Sequence, residues 1–275
     1  LLTYPAVNSE NEIKAINNDG YFGYLEEDQA AEMVATMQIG VGRLPVSTAE
    51  EAQAMVNKIE EYICSSEQES WRRELVFMAD NYDDNLHISD ADAAAEVTAK
   101  TVPDYVLHKI YLDAYPKQVT SSSESCPMAK NQLDNYFQNG ILMLNYSGHG
   151  GYNAVTSESM ITLNSIREMT NKIRPLWFFA TCSFAHFDSG KRCAAEEAVL
   201  NAHGGAIGVI SSCRTVYANM NRKLNEAFCA SLFEHKDSYN YNKTIGEALM
   251  EAKNSLRGDE NKLAFVLLGD PAIRL

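Results

Sequence analysis

From about residue 70 onward, short apolar runs alternate with stretches whose apolar residues recur at helical spacing. ELVFMAD (74–80), VLHKIYLD (106–113), GILMLNYSG (140–148), PLWFFATC (175–182), GGAIGVISS (204–212) and LAFVLLGD (263–270) have strand length and strand composition. Between them, ISDADAAAEVTAK, PMAKNQLDNYFQN, LNSIREMTNK, KRCAAEEAVLNAH, MNRKLNEAFCASLFEH and KTIGEALMEAKNSL predict helices, several with Ser or Asn near the start. The strand runs are continuously apolar rather than alternating, so both of their faces must be covered. Strand and helix in repeated alternation predict an α/β fold, an α/β/α sandwich with a mostly parallel sheet.

Upstream, MQIGVGRLPV (37–46) predicts one more strand. STAEEAQAMVNKIEEYICSS predicts an amphipathic helix whose capping box opens at Ser47 or Thr48, with a glutamate three residues on. The polar stretch QVTSSSESCP predicts a flexible surface loop.

A chain of 275 residues, 45% apolar and 22% charged, can bury a large core as one domain or two small ones. It has no apolar run long enough for a membrane helix, and its start, LLTYPAVNSE, lacks the basic region of a signal peptide, as a mature or trimmed piece would. A net charge of −14 without a Lys/Arg cluster argues against nucleic acid and anionic membranes as partners. The six cysteines lie far apart with no CxxC pair, which speaks against a zinc knuckle and a disulfide framework. Cys213 and Cys229 sit in apolar contexts that suit small core residues.

Ligands of open parallel sheets bind beyond the carboxyl ends of the strands. NYSGHGG and FFATCSF both occupy such ends, which puts His149 and Cys182 on one edge of the sheet, 33 residues apart. If their strands are neighbours, the ends stand roughly 5 Å apart in the pairing direction, and a thiol and an imidazole face one substrate bond. The imidazole can then generate the thiolate, and the amides of Gly150 and Cys182 can serve as an oxyanion hole. A histidine in a glycine turn is otherwise structural; the cysteine at the next strand end tips the balance toward catalysis. His186 is a loop histidine able to line the cleft. His203, in NAHGG, falls at the start of a strand, on the wrong edge. Asp270, before Pro271, reads as a turn residue, and no G-x-S-x-G is present to support a serine hydrolase.

NYSGHGG with FFATC, followed by GGAIGVISS and a closing LLGDPAIRL, resembles the gingipain-like cysteine peptidases of the caspase-type clan. GVGRLPVSTAEEA, HKIYLDAYP and NKLAFVLLGDPAIRL are more particular and resemble the sortase branch of that family, which serves type IX secretion in Bacteroidota. The resemblance implies a caspase-like sandwich forming one catalytic domain over residues 1–275, alternatively divided into subdomains 1–103 and 104–275, within a larger protein. It implies Cys182 as nucleophile, His149 as general base and acid, Gly150 and Cys182 as oxyanion donors, and Asp80 as an acid orienting the histidine. Asp83 is a weaker match for that last role, and ADNYDDN also has the composition of a plain turn. No cofactor and no metal are implied. The implied partners are secreted proteins with a carboxy-terminal signal domain, a lipopolysaccharide acceptor and other type IX secretion components, at the outer membrane surface of a Gram-negative cell.

One departure concerns specificity. The acids that hold a basic P1 side chain in trypsin-like gingipains fall near His87 and Arg222, which argues against strict Arg or Lys specificity. The rival readings are a purely hydrolytic protease, an inactive adhesin or scaffold of the same fold, and a zinc site built from His149, Cys182 and His186.

Overall fold

Six of the apolar runs pair into one sheet. The computed structural model describes residues 2–5, 15–26, 35–65, 69–121, 123–234, 243–256 and 260–275. The strands are β1 (Glu74–Ala79), β2 (Val106–Tyr111), β3 (Met143–Ser147), β4 (Leu176–Ala180), β5 (Gly208–Ser212) and β6 (Phe265–Gly269). Their order across the sheet is β2-β1-β3-β4-β5-β6, with β1 to β5 parallel and β6 antiparallel to β5. The strand order reverses between β1 and β3, so the chain diverges there and leaves a crevice beyond their carboxyl ends.

The described residues include eight α-helices that flank the sheet: α1 (Ala49–Ile63), α2 (Leu86–Thr101), α3 (Pro127–Asn139), α4 (Leu163–Arg167), α5 (Ala194–Leu200), α6 (Ala218–Phe233), α7 (Ile245–Ser255) and the short α8 (Glu260–Ala264) that leads into β6. Alternate strand residues enter opposite cores. Leu75, Phe77, Met143 and Phe178 pack with Ala94 of α2, Leu224 and Phe228 of α6 and Leu249 of α7. Val76, Met78, Leu144 and Trp177 pack with Leu133 and Phe137 of α3 and Val199 of α5. Both layers of the expected sandwich are present. Among the described residues no helix is long and apolar enough to cross a membrane.

Local chemistry explains the helix ends. Thr48 caps α1 by accepting from the Glu51 amide, while Glu51 reaches back to the amide and hydroxyl of Ser47, so both cap candidates are used. Helix α3 starts on a proline, whose missing N–H costs nothing there, and ends at Gly140, whose φ of +91° favours glycine. Helix α4 stops well short of the predicted stretch, because Asn201 Nδ2 donates to the carbonyls of Ile166 and Met169 and draws the chain away.

Two expectations need correction. Residues 37–46 do not form a strand: they run extended beside the edge strand β6 with one parallel bridge, Arg43 to Leu268. Arg43 N–H donates to Leu267 C=O and Gly269 N–H to Arg43 C=O, each at 2.8 Å. A longer ladder does not form around Gly40, Gly42 and Pro45; side chains at the two glycines would overlap the backbone of Gly246 and Gly269. The serine-rich stretch is not simply a loop, since Gln118 and Val119 pair antiparallel with Ser125 and Glu124.

A buried cation secures α1. Lys58 Nζ donates to the carbonyls of Val199 (2.8 Å), Gly204 (3.1 Å) and Ala206 (3.4 Å), the turn that feeds β5. Lys58→Met leaves these acceptors unpaired and is expected to lower stability by about 2–3 kcal/mol in urea unfolding. Burial lowers the Lys58 ammonium from 10.5 to about 7. The unfolded chain therefore holds a proton that the fold releases between those values. The stability of the wild type relative to Lys58→Met should rise with pH across that window, and unfolding midpoints at pH 6, 7.5 and 9 check the sign.

Candidate active site

The sheet register brings the sequence candidates together. Ser147 of β3 pairs with Ala180 of β4, so His149 and Cys182 each stand two residues beyond a matched pair of parallel neighbours. The Gly148 amide still reaches the Ala180 carbonyl at 3.4 Å. Beyond it the strands end, leaving His149 exposed and Cys182 half-buried.

The backbone of His149 is gripped from both sides. Asp80, directly after β1, accepts its N–H at 3.0 Å through Oδ2, and the Tyr146 hydroxyl donates to its carbonyl at 2.7 Å. The Thr156 amide donates to the same carbonyl at 3.1 Å. Asp80 Oδ1 accepts from the Asn81 amide, and the Tyr146 hydroxyl lies 3.2 Å from Oδ2. Asp80 thus meets His149 through the main chain. Burial pushes the Asp80 carboxyl above its ordinary range. Gly148 makes this close arrangement possible: a Cβ there would overlap the Tyr146 hydroxyl and stand 2.5 Å from Asp80 Cβ.

Gly150 begins a short antiparallel pairing with Val155. Because the Thr156 amide bonds the His149 carbonyl, Gly150 and Val155 form a non-hydrogen-bonded pair, and the Gly150 N–H points away from that hairpin. Cys182 lies beyond the end of β4, followed by Ser183 at φ +54°. The β5 end stitches this loop in place: the Ser183 amide donates to Ser212 Oγ (3.0 Å) and to the Arg214 carbonyl (3.1 Å), and the Ser212 hydroxyl approaches the Thr181 carbonyl at 2.6 Å.

Exposure separates Cys182, half-buried, from four buried cysteines. Burial pushes the thiols of Cys126 and Cys193 up, and those of Cys213 and Cys229 up to about 12. Cys64 is exposed at the end of α1.

The remaining candidates are elsewhere engaged. His186 Nε2 stands 3.4 Å from Asp188 Oδ1, and Asp188 also takes both terminal nitrogens of Arg214, at 2.7 and 2.5 Å. His203 lies in the turn before β5, its amide bonded to Asn201 Oδ1. Asp270 Oδ1 accepts from the Ala272 amide as a turn residue. Arg222 bridges α6 and α2, donating to Glu226 (2.7 Å) and Ser89 (3.2 Å) with Asp90 3.7 Å away. Burial raises the Asp90 carboxyl to about 6, against the lowering pull of Arg222.

Two residues gain weight only in three dimensions. Asp83 and His87, from the β1–α2 loop and the first turn of α2, lie beside His149. The His87 and His149 rings are 5.0 Å apart and nearly perpendicular. His87 Nε2 is 3.4 Å from Asp83 Oδ2. Burial lowers the His87 imidazole below its ordinary range. The signal in the sequence is the i, i+4 pair in DDNLH, which reads as an ordinary turn until β1 and β3 are known to be neighbours.

The model of peptidase family C25 matches residues 2–275. No curated protein matches the chain in sequence. Among solved structures, the Arg-specific cysteine proteinase gingipain R (RGPB) superposes with a TM-score of 0.75 at 18% identity, over 94% of this chain and 60% of that one. The complex of the Porphyromonas gingivalis RgpB pro- and mature domains gives 0.74 at 18% identity, over 94% and 61%. A structure described only as a protease gives 0.72 at 14% identity, over 96% and 60%. The fold is therefore the gingipain fold, and the chain spans about 60% of the length of these relatives.

Tyr146→Phe removes one of the three groups holding the His149 backbone. Turnover should fall about tenfold, the equivalent of one hydrogen bond, with an unchanged circular dichroism spectrum. Gly148→Ala should cost more, about 3 kcal/mol of stability from overpacking, read as a lowered urea midpoint.

Proposed function

The chain belongs to peptidase family C25, a cysteine peptidase family, and from that footing we propose that it acts through a Cys182–His149 dyad as a sortase. The carrying observation is the register match that sets the two residues side by side beyond adjacent parallel strands. In the proposed reaction the Cys182 thiolate attacks a peptide carbonyl, and the amides of Gly150 and Cys182 receive the developing oxyanion. Protonated His149 then gives its proton to the departing amine as the C–N bond breaks, leaving a thioester. An incoming amine attacks that thioester, His149 takes its proton, and the thiolate leaves as the new amide forms. Asp80 acts by fixing the backbone at His149.

The substrate reading rests on the motifs similar to those of the sortase PorU. The leaving group is a carboxy-terminal signal domain of secreted cargo, and the acceptor is an amine on a surface lipopolysaccharide. The enzyme would work at the outer membrane surface with other type IX secretion components. Tyr82, Leu86, Tyr152 and Tyr217 expose apolar surface in the segments following β1, β3 and β5, suited to holding an extended peptide. A second reading, a protease that passes the acyl group to water, is favoured by the fold shared with gingipain R. The two differ only in acceptor.

Cys182→Ala and His149→Ala are each expected to abolish cleavage while leaving the fold intact, since His149 is exposed and Cys182 is a small, partly buried side chain at the margin of the core. Undiminished activity in Cys182→Ala would end the proposal. Short fluorogenic substrates with P1 Arg or Lys should be poor, because Glu226 and Asp188 are already committed to Arg222 and Arg214. The decisive assay incubates the full-length protein with signal-domain cargo and the native lipopolysaccharide or small amines. Mass spectrometry should find the amine adduct; hydrolysed product alone would leave the protease and remove the sortase.

A further inference from the structure

We propose that Asp83, His87 and His149 form a binding site for a divalent transition ion of the zinc type, and that its occupation withdraws His149 from Cys182. One ligand atom from each residue lies within 4.8 Å of the others. His87 Nε2 and Asp83 Oδ2, at 3.4 Å, already stand at the separation two ligands take on tetrahedral zinc, about 3.3 Å for bonds of about 2.0 Å. Both of these side chains are held in place, with exposures of only 8% and 9%. His149 is the exposed member and can rotate to close the remaining gap.

An independent observation points the same way. Asp83 Oδ1 is fully buried with no hydrogen-bond partner among the described residues. An unpaired buried carboxylate oxygen costs free energy that a cation beside it would recover. Two imidazoles and one carboxylate are a familiar three-residue zinc set, with a fourth position left for water. This trio differs from the His149, Cys182 and His186 set suggested by the sequence, since His186 is turned to Asp188. Metal at the trio would engage the imidazole lone pair that His149 needs for proton transfer, switching off the chemistry without touching the thiol.

The inhibitory half rests on the dyad reading; the binding half does not. Binding is therefore measured on Cys182→Ala protein, where the thiolate cannot contribute. Calorimetry with Zn²⁺ should give one ion per chain, and Co²⁺ should show visible bands of low coordination number without thiolate charge transfer. Asp83→Asn, which preserves size, and His87→Gln should each weaken binding by at least about tenfold. In the protein with Cys182 intact, Zn²⁺ should inhibit cleavage, and Asp83→Asn should raise the concentration required by a similar factor. Absence of binding to Cys182→Ala, or affinity unchanged in both variants, would overturn the site. Binding at the trio with zinc-insensitive cleavage would keep the site and remove its inhibitory role along with the assignment of His149.

Discussion

The architecture of the candidate site depends on one buried carboxylate. Asp80 leaves β1 at the point where the strand order reverses, and its oxygens are spent on main-chain groups: the Asn81 amide on its own loop and the His149 amide across the crevice. That second bond adds a side-chain tie beyond the last ladder contact of β1 with β3, where the Asp80 amide donates to the Ser147 carbonyl at 3.0 Å. Without it the His149 turn would be held by β3, its own hairpin and the contact of the Gly148 amide with Ala180 of β4, with no hydrogen bond from the β1 loop among the described residues. The bond also explains Gly148, because only a residue without a side chain lets Asp80 and Tyr146 approach the turn so closely. A buried acid that fixes backbone rather than imidazole leaves the ring itself free to move, and proton transfer between two partners requires that freedom.

Strain is distributed unevenly over the sheet. All six non-glycine residues with positive φ among those described lie in loops following β1, β3 and β4: Tyr82, Asp84, Asn85, Thr156, Ser159 and Ser183. Of the positive-φ glycines, Gly190 lies in the loop after β4, while Gly140 and Gly205, before β3 and β5, and Gly269, at the end of antiparallel β6, lie at the opposite edge, where glycine takes that conformation at no steric cost. Side-chain-bearing residues in that conformation cost about 1 kcal/mol or more each and persist only where surroundings over-determine them. At Thr156 and Ser183 the holding bonds are the Thr156 amide on the His149 carbonyl and the Ser183 amide on Ser212 Oγ and the Arg214 carbonyl. The amino edge is relaxed and the carboxyl edge is held.

Much of this was legible from residue order alone, and the limits have physical causes. The six sheet strands could be read because continuous apolar runs of strand length have little choice but a sheet covered on both faces. Helix α3 could be read to the residue because Pro127 and Gly140 punctuate it. Residues 37–46 misled because apolar residues interleaved with Gly40, Gly42 and Pro45 describe extended chain equally well, and only contact with β6 decides how much of it pairs. His149 and Cys182 were legible because each follows a strand and the strands are consecutive. Asp83 was legible only as the weaker match for an orienting acid and His87 only as a position lacking a specificity acid, since their place together beside His149 depends on β1 and β3 being neighbours although β2 lies between them in sequence. The commitment of Asp188 to Arg214 was invisible because it joins the loops that follow β4 and β5, whereas Glu226 and Arg222 are an i, i+4 pair within α6.

In the proposed reaction hydrolysis and transfer share every step as far as the thioester, so nothing in the proposed dyad chooses between them. The choice lies in what reaches the thioester first. Water is present at about 55 M, and an amine at micromolar concentration competes only if the protein places it; positioning is worth effective molarities of about 10⁵ M or more. The hydrogen bonds around His149 and Ser183 fix the backbone of the proposed dyad against the sheet, and they leave the binding of an acceptor to other surfaces. A sortase on this fold must therefore carry its distinguishing chemistry in surfaces that bind the acceptor and shield the acyl group, while keeping the gingipain sheet edge unchanged. On that footing the proposed sortase and the alternative protease would differ in acceptor-binding surfaces and not in the arrangement at the ends of β3 and β4.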